Sequence, residues 1–297
     1  MEIQRDTQRE RLFYIDFLAF FTGQVTRKDL VSRFGISEPA ATKDLSLYAD
    51  LAPSMLEYDL RQRCYVYSNG TPLFPHHVDQ ALYSLSGDRA IALDPEHAKR
   101  LPGWVQFSIK RKMPVEVVAA ITRAMYQHKK ITANYVSLSS GQAERVLSPL
   151  ALVHDGLRWH IRCYDHGRCR FGDFNLARFN SVSECGLSEM ALDQDPEWTT
   201  EVTVELVPHP KAEHPETIRL DYDIEGDIKH VVLRLCLVPY FLRHWHIDTT
   251  PNATKDPKEQ QLFLQNRKEL QEKGVSAWVF DQDVQPESEA CSPAHGV

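Results

Sequence analysis

The chain has 297 residues, 42% hydrophobic and 25% charged, with a formal net charge of −7. That length gives room for two or three domains with cores of their own, and the composition excludes collagen-like, scaffold and wholly disordered classes. No apolar run reaches membrane-spanning length and the start, "MEIQRDTQRERL", is charged, so neither a membrane span nor a signal peptide is expected.

The charge is unevenly divided. Residues 1–182 carry 24 Lys and Arg against 19 Asp and Glu, a balance of +5, while residues 183–297 carry 10 against 22, a balance of −12. A polyanion is therefore expected to meet the first two-thirds, and protein partners the acidic third. The cysteines Cys64, Cys163, Cys169, Cys185, Cys236 and Cys291 are scattered with no CxxC pair, which reads as reduced thiols in a cytoplasmic protein.

Residues 5–21 predict a helix that buries Leu12, Ile15, Phe17 and Leu18 on one side. "TRKD" at 26–29 is a capping box, so a second helix starts at Thr26 and stops at Gly35. Ser37 caps a third helix with Pro39 in its first turn. Two short helices joined by "FGIS" make a helix-turn-helix pattern. In the third helix Ala41, Leu45 and Tyr48 share a buried face, which leaves Thr42, Lys43 and Ser46 outward, a set suited to a major groove. Thr26, Lys28 and Ser37, at the starts of the two helices, complete the candidate DNA contacts there. "MLEYDLRQRCYVYS" at 55–68 predicts a hairpin with Arg61 and Arg63 at its tip, a wing whose basic residues suit phosphates. A helical corner beside a hairpin is the plain alternative, and residues 1–70 are not basic overall, with nine basic and ten acidic side chains.

A connector follows, with helices near 76–86 and 115–130. Residues 97–130 hold eight basic side chains (Lys99, Arg100, Lys110, Arg111, Lys112, Arg123, Lys129, Lys130) and one acid, Glu116. "IKRK" at 109–112 is a candidate backbone tracker, although each lysine alone reads as solvated surface. The pair His76-His77 reads as a solvated helix start. Residues 131–182 are all strand, with turns at "LSSGQ", Asp155-Gly156 and "HG", and four or five short strands over so short a length make a small barrel. In "DGLRWHIRCYD" period two sets Leu157, Trp159, Ile161 and Cys163 on one side and Arg158, His160, Arg162 and Tyr164 on the other. Residues 200–248 alternate strand and helix, 258–273 predict an amphipathic helix, and the Pro- and Ser-rich end predicts disorder.

At "GLRWHIRCYD…FGDFNLARF" the sequence resembles a WYL domain, with the naming triplet standing as Trp159-His160-Ile161 and flanked by "RVLSPL" (Arg145 to Leu150) and "FNLARF" (Phe174 to Phe179). The stretch from "FYIDFLAFF" to the hairpin is similar to the winged helix that precedes WYL in bacterial regulators, most of all those beside phage-defence operons of the BREX and CBASS types. The resemblance covers about residues 1–250. It implies an α+β chain: winged helix-turn-helix (1–70), helical connector (71–130), Sm/SH3-like WYL barrel (131–182), αβ dimerisation extension (183–275) and tail (276–297). It also implies a homodimeric repressor on an inverted-repeat operator in double-stranded DNA. His160 and Ile161 depart from the family's triplet, and His160 brings a group that titrates near neutral pH.

With that resemblance, the outward row of Arg158, His160 and Arg162, joined by Ser137, Arg145 and Arg178, reads as a pocket for an anionic effector, a single-stranded nucleic acid or a nucleotide. The alternative is that Asp165 and Asp173 simply pair with the arginines. Trp159 reads as core, and Tyr135 either stacks a base or packs in the core. His244 and His246 lack a third metal ligand, and no phosphate loop, GxSxG, HExxH or Cys-His arrangement appears, so no metal, cofactor or enzyme activity is expected. Rival readings are an activator of the same architecture, or a protein-interaction adaptor with a structural winged helix.

Overall fold

A computed structural model describes residues 2–87 and 112–282, the side chains of 2–6 excepted. Lys99, Arg100, Lys110 and Arg111 of the basic stretch lie outside the described residues. Helix α1 (Glu2–Thr22) buries Leu12, Ile15, Phe17, Phe20 and Phe21, and Leu18 packs against the same core. Helices α2 (Arg27–Phe34) and α3 (Glu38–Leu51) begin at the expected caps. Thr26 and Asp29 close a reciprocal capping box, and Gly35 ends α2 at φ 64°, a left-handed turn that favours glycine. The hairpin follows as β2 (Leu56–Asp59) and β3 (Cys64–Tyr67), once the two-residue strand β1 (Gln24–Val25) has been passed, and β1 pairs with β3 to give the order β1-β3-β2. A strand of two residues is too short to show a period, so β1 left no mark in the sequence pattern.

Helices α4 (Val78–Leu85) and α5 (Val115–Tyr126) join two cores. Ala119 packs into the winged-helix core, while Val118, Ile121 and Ala124 face the sheet that follows. α5 is four residues shorter than predicted, because the chain turns at His128 (φ 50°) and Lys129 and Lys130 already belong to a strand. Arg123 on α5 straps the pieces together. Its Nη1 donates to the Phe20 carbonyl at 2.6 Å, its guanidinium lies 4.3 Å from the Tyr67 ring centre, and Glu184 stands 4.0 Å from its Nε.

The sheet has five antiparallel strands: β4 (Lys129–Ser137), β5 (Gly141–His154), β6 (Trp159–Asp165), β7 (Arg170–Asn175) and β8 (Phe179–Leu187), in the order β7-β6-β5-β4-β8. The expected small barrel is thus corrected to an open sheet. β7 and β8 occupy opposite edges, and between them the chain makes one 3₁₀ turn, Leu176–Arg178, instead of a ladder. Irregular register at Pro149–Ala151 and at two points of the β4–β8 ladder bends the sheet without closing it.

By chain contacts the molecule divides into two units, Met1–His154 with Arg158–Met190, and Asp155–Leu157 with Ala191–Val297. Within the second, β9 (Glu201–Pro208) lies between β10 (Lys229–Arg234) and β11 (Leu262–Leu264), all antiparallel, with short helices α6 (Pro196–Thr199), α7 (Pro215–Asp221), α8 (Val238–His244) and α9 (Arg267–Glu272). The helix predicted over 258–273 is corrected to β11 followed by α9. Leu262 and Leu264 are buried two apart, which is strand spacing. The end of the described chain is packed rather than loose, since Val279 and Phe280 belong to this unit's core. Asp248, fully buried, accepts from Thr250 N and Oγ1, Lys255 N and His209 Nε2. Burial pushes its carboxyl up, but those hydrogen bonds outweigh it and hold the group below its ordinary range. Among the described residues no helix is long and apolar enough to cross a membrane, and no cluster of His, Cys, Asp or Glu has a metal-holding arrangement.

Candidate nucleic-acid interface and basic cavity

The third helix is bolted to the first by carboxylates. Asp44, on the buried side of α3, takes Arg11 Nε at 2.6 Å and Gln8 Nε2 at 3.1 Å from α1. Asp16 of α1 is fully buried and accepts from Tyr48 Oη of α3, from Leu73 N at 2.8 Å and from Phe74 N at 3.3 Å. Its fourth neighbour is His76 Nε2 at 2.6 Å. This corrects the solvated reading of His76: its side chain is 3% exposed and its ring packs among Phe13, Phe17, Phe20 and Phe21. Burial, with Asp16 beside it, pushes the Tyr48 phenol well above its usual range.

Anchored in that way, α3 buries Ala41, Leu45 and Tyr48 and leaves Thr42, Lys43 and Ser46 exposed. Lys28 and Ser37 are exposed beside them. Some of these hydroxyls already have work inside the protein. Thr26 Oγ1 accepts from Asp29 N at 3.3 Å and lies 2.7 Å from Asp29 Oδ2, Ser37 Oγ accepts from Ala40 N, and Thr42 Oγ1 donates to the Glu38 carbonyl. Lys43 and Ser46 make no such bond among the described residues. At the wing tip Asp59 Oδ1 accepts from Arg61 N at 2.7 Å and Gln62 N at 3.1 Å, Arg63 takes φ 55°, and both arginine side chains are exposed.

In the five-stranded sheet His160 and Arg162 of the predicted row do not face solvent, while Arg158, half-buried, precedes the strand. β6 is an interior strand covered on both faces, and Arg162 and His160 are 2% and 6% exposed. Arg162 sits directly across from Asp173 in register and donates to its Oδ2 at 3.1 Å. Arg145 lies on the other face. It is two residues from Leu147, which stands opposite Asp165, so Arg145 and Asp165 share the side of Ile161 and Cys163 and pair at 2.9 Å. Leu157, assigned to the core face, is exposed in the hairpin turn. Trp159 is core, packed on Tyr83 and His154.

A cavity of about 290 Å³ opens at the end of the Arg145 face. Ser137, Arg145 and Arg178 line it, as do Tyr135, Asp165 and Asp173, whereas Arg158, His160 and Arg162 do not. Tyr135 is buried against Phe174 and Phe179. Arg168, Arg170 and Phe171 also line the cavity and were missed by the sequence reading. They sit where "HGRCRF" turns from β6 into β7, and two arginines one residue apart beside a hairpin turn were the available signal. The Arg145 side chain is 7% exposed, donates also to Ser140 Oγ at 3.1 Å, and its Nε has no hydrogen-bond partner.

A winged helix-turn-helix with an open third-helix face, joined by a helical strut to a five-stranded sheet, defines a winged-helix DNA-binding protein. Family models match accordingly: the BrxR transcriptional regulator winged helix-turn-helix domain over residues 7–82, the WYL domain over 116–184, and the BrxR transcriptional regulator C-terminal dimerization domain over 201–270. The chain is 36% identical over 277 residues to the DNA-binding transcriptional repressor CapW of Pseudomonas aeruginosa, covering 89% of this chain and 91% of that one. The CapW repressors of Escherichia coli (strain KTE188) and Stenotrophomonas maltophilia are 34% and 32% identical, each over 89% of this chain and over 90% and 91% of their own lengths. The chain belongs to the BrxR–CapW family of winged-helix WYL transcriptional regulators.

Proposed function

We propose that the chain is a homodimeric, sequence-specific, cytoplasmic DNA-binding repressor of a phage-defence operon. Its parts are a winged helix over 1–70, a connector over 71–130, a WYL domain from 131 and a dimerising C-terminal third. Two protomers set their α3 helices in successive major grooves of an inverted repeat, about 34–36 Å apart, with Arg61 and Arg63 on flanking phosphates. The WYL cavity takes an anionic effector, a nucleotide or single-stranded nucleic acid, that favours another spacing of the winged helices. Effector and operator then weaken each other's binding by the same factor. No catalytic step or cofactor belongs to this reading.

The observation that carries it is the open face of α3. Lys43 and Ser46 are exposed and unengaged on a helix whose other side is pinned by Asp16 and Asp44, in a chain that matches named repressors over most of its length. The test replaces both by Ala and measures binding to a duplex carrying the inverted repeat upstream of the gene. A loss of about tenfold to a hundredfold is expected, as base and phosphate contacts are worth ~1–3 kcal/mol. In the parent, log affinity falls linearly with log salt. Unchanged gel shifts, or a flat salt dependence, overturn the assignment.

A further inference from the structure

We infer that the cavity selects a terminal phosphate monoester, the phosphorylated end of a nucleotide or of a short single strand, over internal phosphodiesters. This rests on the anionic-effector reading above and narrows it. The charged groups around the cavity divide unequally. Arg145 engages Asp165 at 2.9 Å and Arg162, from behind the lining, engages Asp173 at 3.1 Å. Those two pairs neutralise each other. Arg168, Arg170 and Arg178 line the same cavity, and among the described residues none of them makes an ion pair. Among the described residues the Arg168 guanidinium donates only to Ser140 Oγ, at 3.3 Å. Three guanidiniums thus remain beyond what the protein's own carboxylates match.

An internal diester brings about one negative charge and two free oxygens. A terminal monoester brings ~1.5–2 charges near neutral pH and three acceptor oxygens. Planar guanidinium forks bind phosphate oxygens two at a time, so three of them are better filled by the monoester. Size points the same way. About 290 Å³ is at the small end of ligand sites, which run from ~300 to 1,000 Å³. That suits one nucleotide unit, not a length of strand.

The experiment is calorimetric titration of the full-length protein with 5′-phosphorylated d(pApA), with d(ApA) lacking the terminal phosphate, and with 5′-dAMP. Removing the terminal phosphate is expected to weaken binding at least ~tenfold, the scale of one or two charge-assisted hydrogen bonds. Arg170→Ala and Arg178→Ala are expected to weaken d(pApA) far more than d(ApA), so that most of the difference between the two is lost. Arg170→Lys, which keeps the charge without the fork, is expected to fall between; its thermal midpoint and that of the Ala variants report that the fold is kept. If 5′-dAMP binds as tightly as d(pApA), the source is a free nucleotide; tighter d(pApA) assigns a strand end. Equal affinity for d(pApA) and d(ApA) overturns the end-phosphate inference and leaves the anionic-effector reading standing. No heat with any of the three overturns the effector reading itself.

Discussion

Helix α3 and strand β6 both raised a functional expectation from periodicity, and they met different fates. In α3 the apolar residues fall on one side, and the structure leaves the other side open: Thr42, Lys43 and Ser46 are exposed. In β6 the alternation of Trp159, Ile161 and Cys163 with His160 and Arg162 looked equally clean, yet both sides are buried. An alternating strand has a solvent face only if nothing covers it, and an interior strand gives no local sign of that. What does mark it is the carboxylate across the ladder: Asp173 opposite Arg162. The lesson is that a basic row is a binding face only after its acids have been counted.

The largest test of this contrast is Arg162→Ala. Its side chain is 2% exposed and that of Asp173 10%, so deletion strips a buried carboxylate of its guanidinium. A loss of ~3–5 kcal/mol is expected, the usual result of breaking a buried pair from one side. Denaturant unfolding measures it, and Lys43→Ala should sit within ~0.5 kcal/mol of the parent beside it. Replacing both members, as Arg162→Met with Asp173→Leu, should recover most of the loss. An Arg162→Ala protein as stable as the parent would show the β6 face to be open after all.

Much of the winged helix was legible because its signals are local. Thr26 and Asp29, Ser37 and Pro39, and Gly35 each act over a few residues, and each stands where the pattern put it. The buried polar residues were not legible. Asp16 and His76 are sixty positions apart, and no local pattern says that a carboxylate in a Phe-rich helix waits for an imidazole and two backbone amides from a later loop. The cavity was half legible for the same reason. Arg145 and Arg178 were named from the family's motifs, whereas Arg168 and Arg170 come from a turn that the alternation did not reach. Strand β11 was lost to a helical pattern over the same residues, and β1 is too short to show a period.

Thr26 sharpens the comparison at a smaller scale. It was counted among DNA contacts, but its hydroxyl is committed to the Asp29 cap. Thr26→Ala is expected to lower stability by about 1 kcal/mol, the typical worth of an N-cap. Operator affinity measured well below the unfolding transition should then stay near that of the parent. A loss of affinity with no loss of stability would return Thr26 to the interface.

The smallest effect concerns the sheet's other internal polar chain, and it carries a pH signature. Ser188 Oγ donates to Ser148 Oγ at 2.7 Å, and Ser148 Oγ lies 2.8 Å from His166 Nε2. Burial and the nearby Lys130 charge push the His166 pKa below the ordinary 6.5, against the pull of Asp165. Between the lowered folded value and 6.5 the unfolded chain binds more protons than the native one, so stability falls as pH drops through that window and levels off below it. Thermal midpoints between pH 7.5 and pH 5 should show this fall in the parent and a shallower one in His166→Gln. The difference belongs to His166 alone, since every other titrating group is common to both proteins. Parallel curves would mean that the imidazole exchanges its proton as freely as in water, and that this end of the sheet, unlike β6, is open.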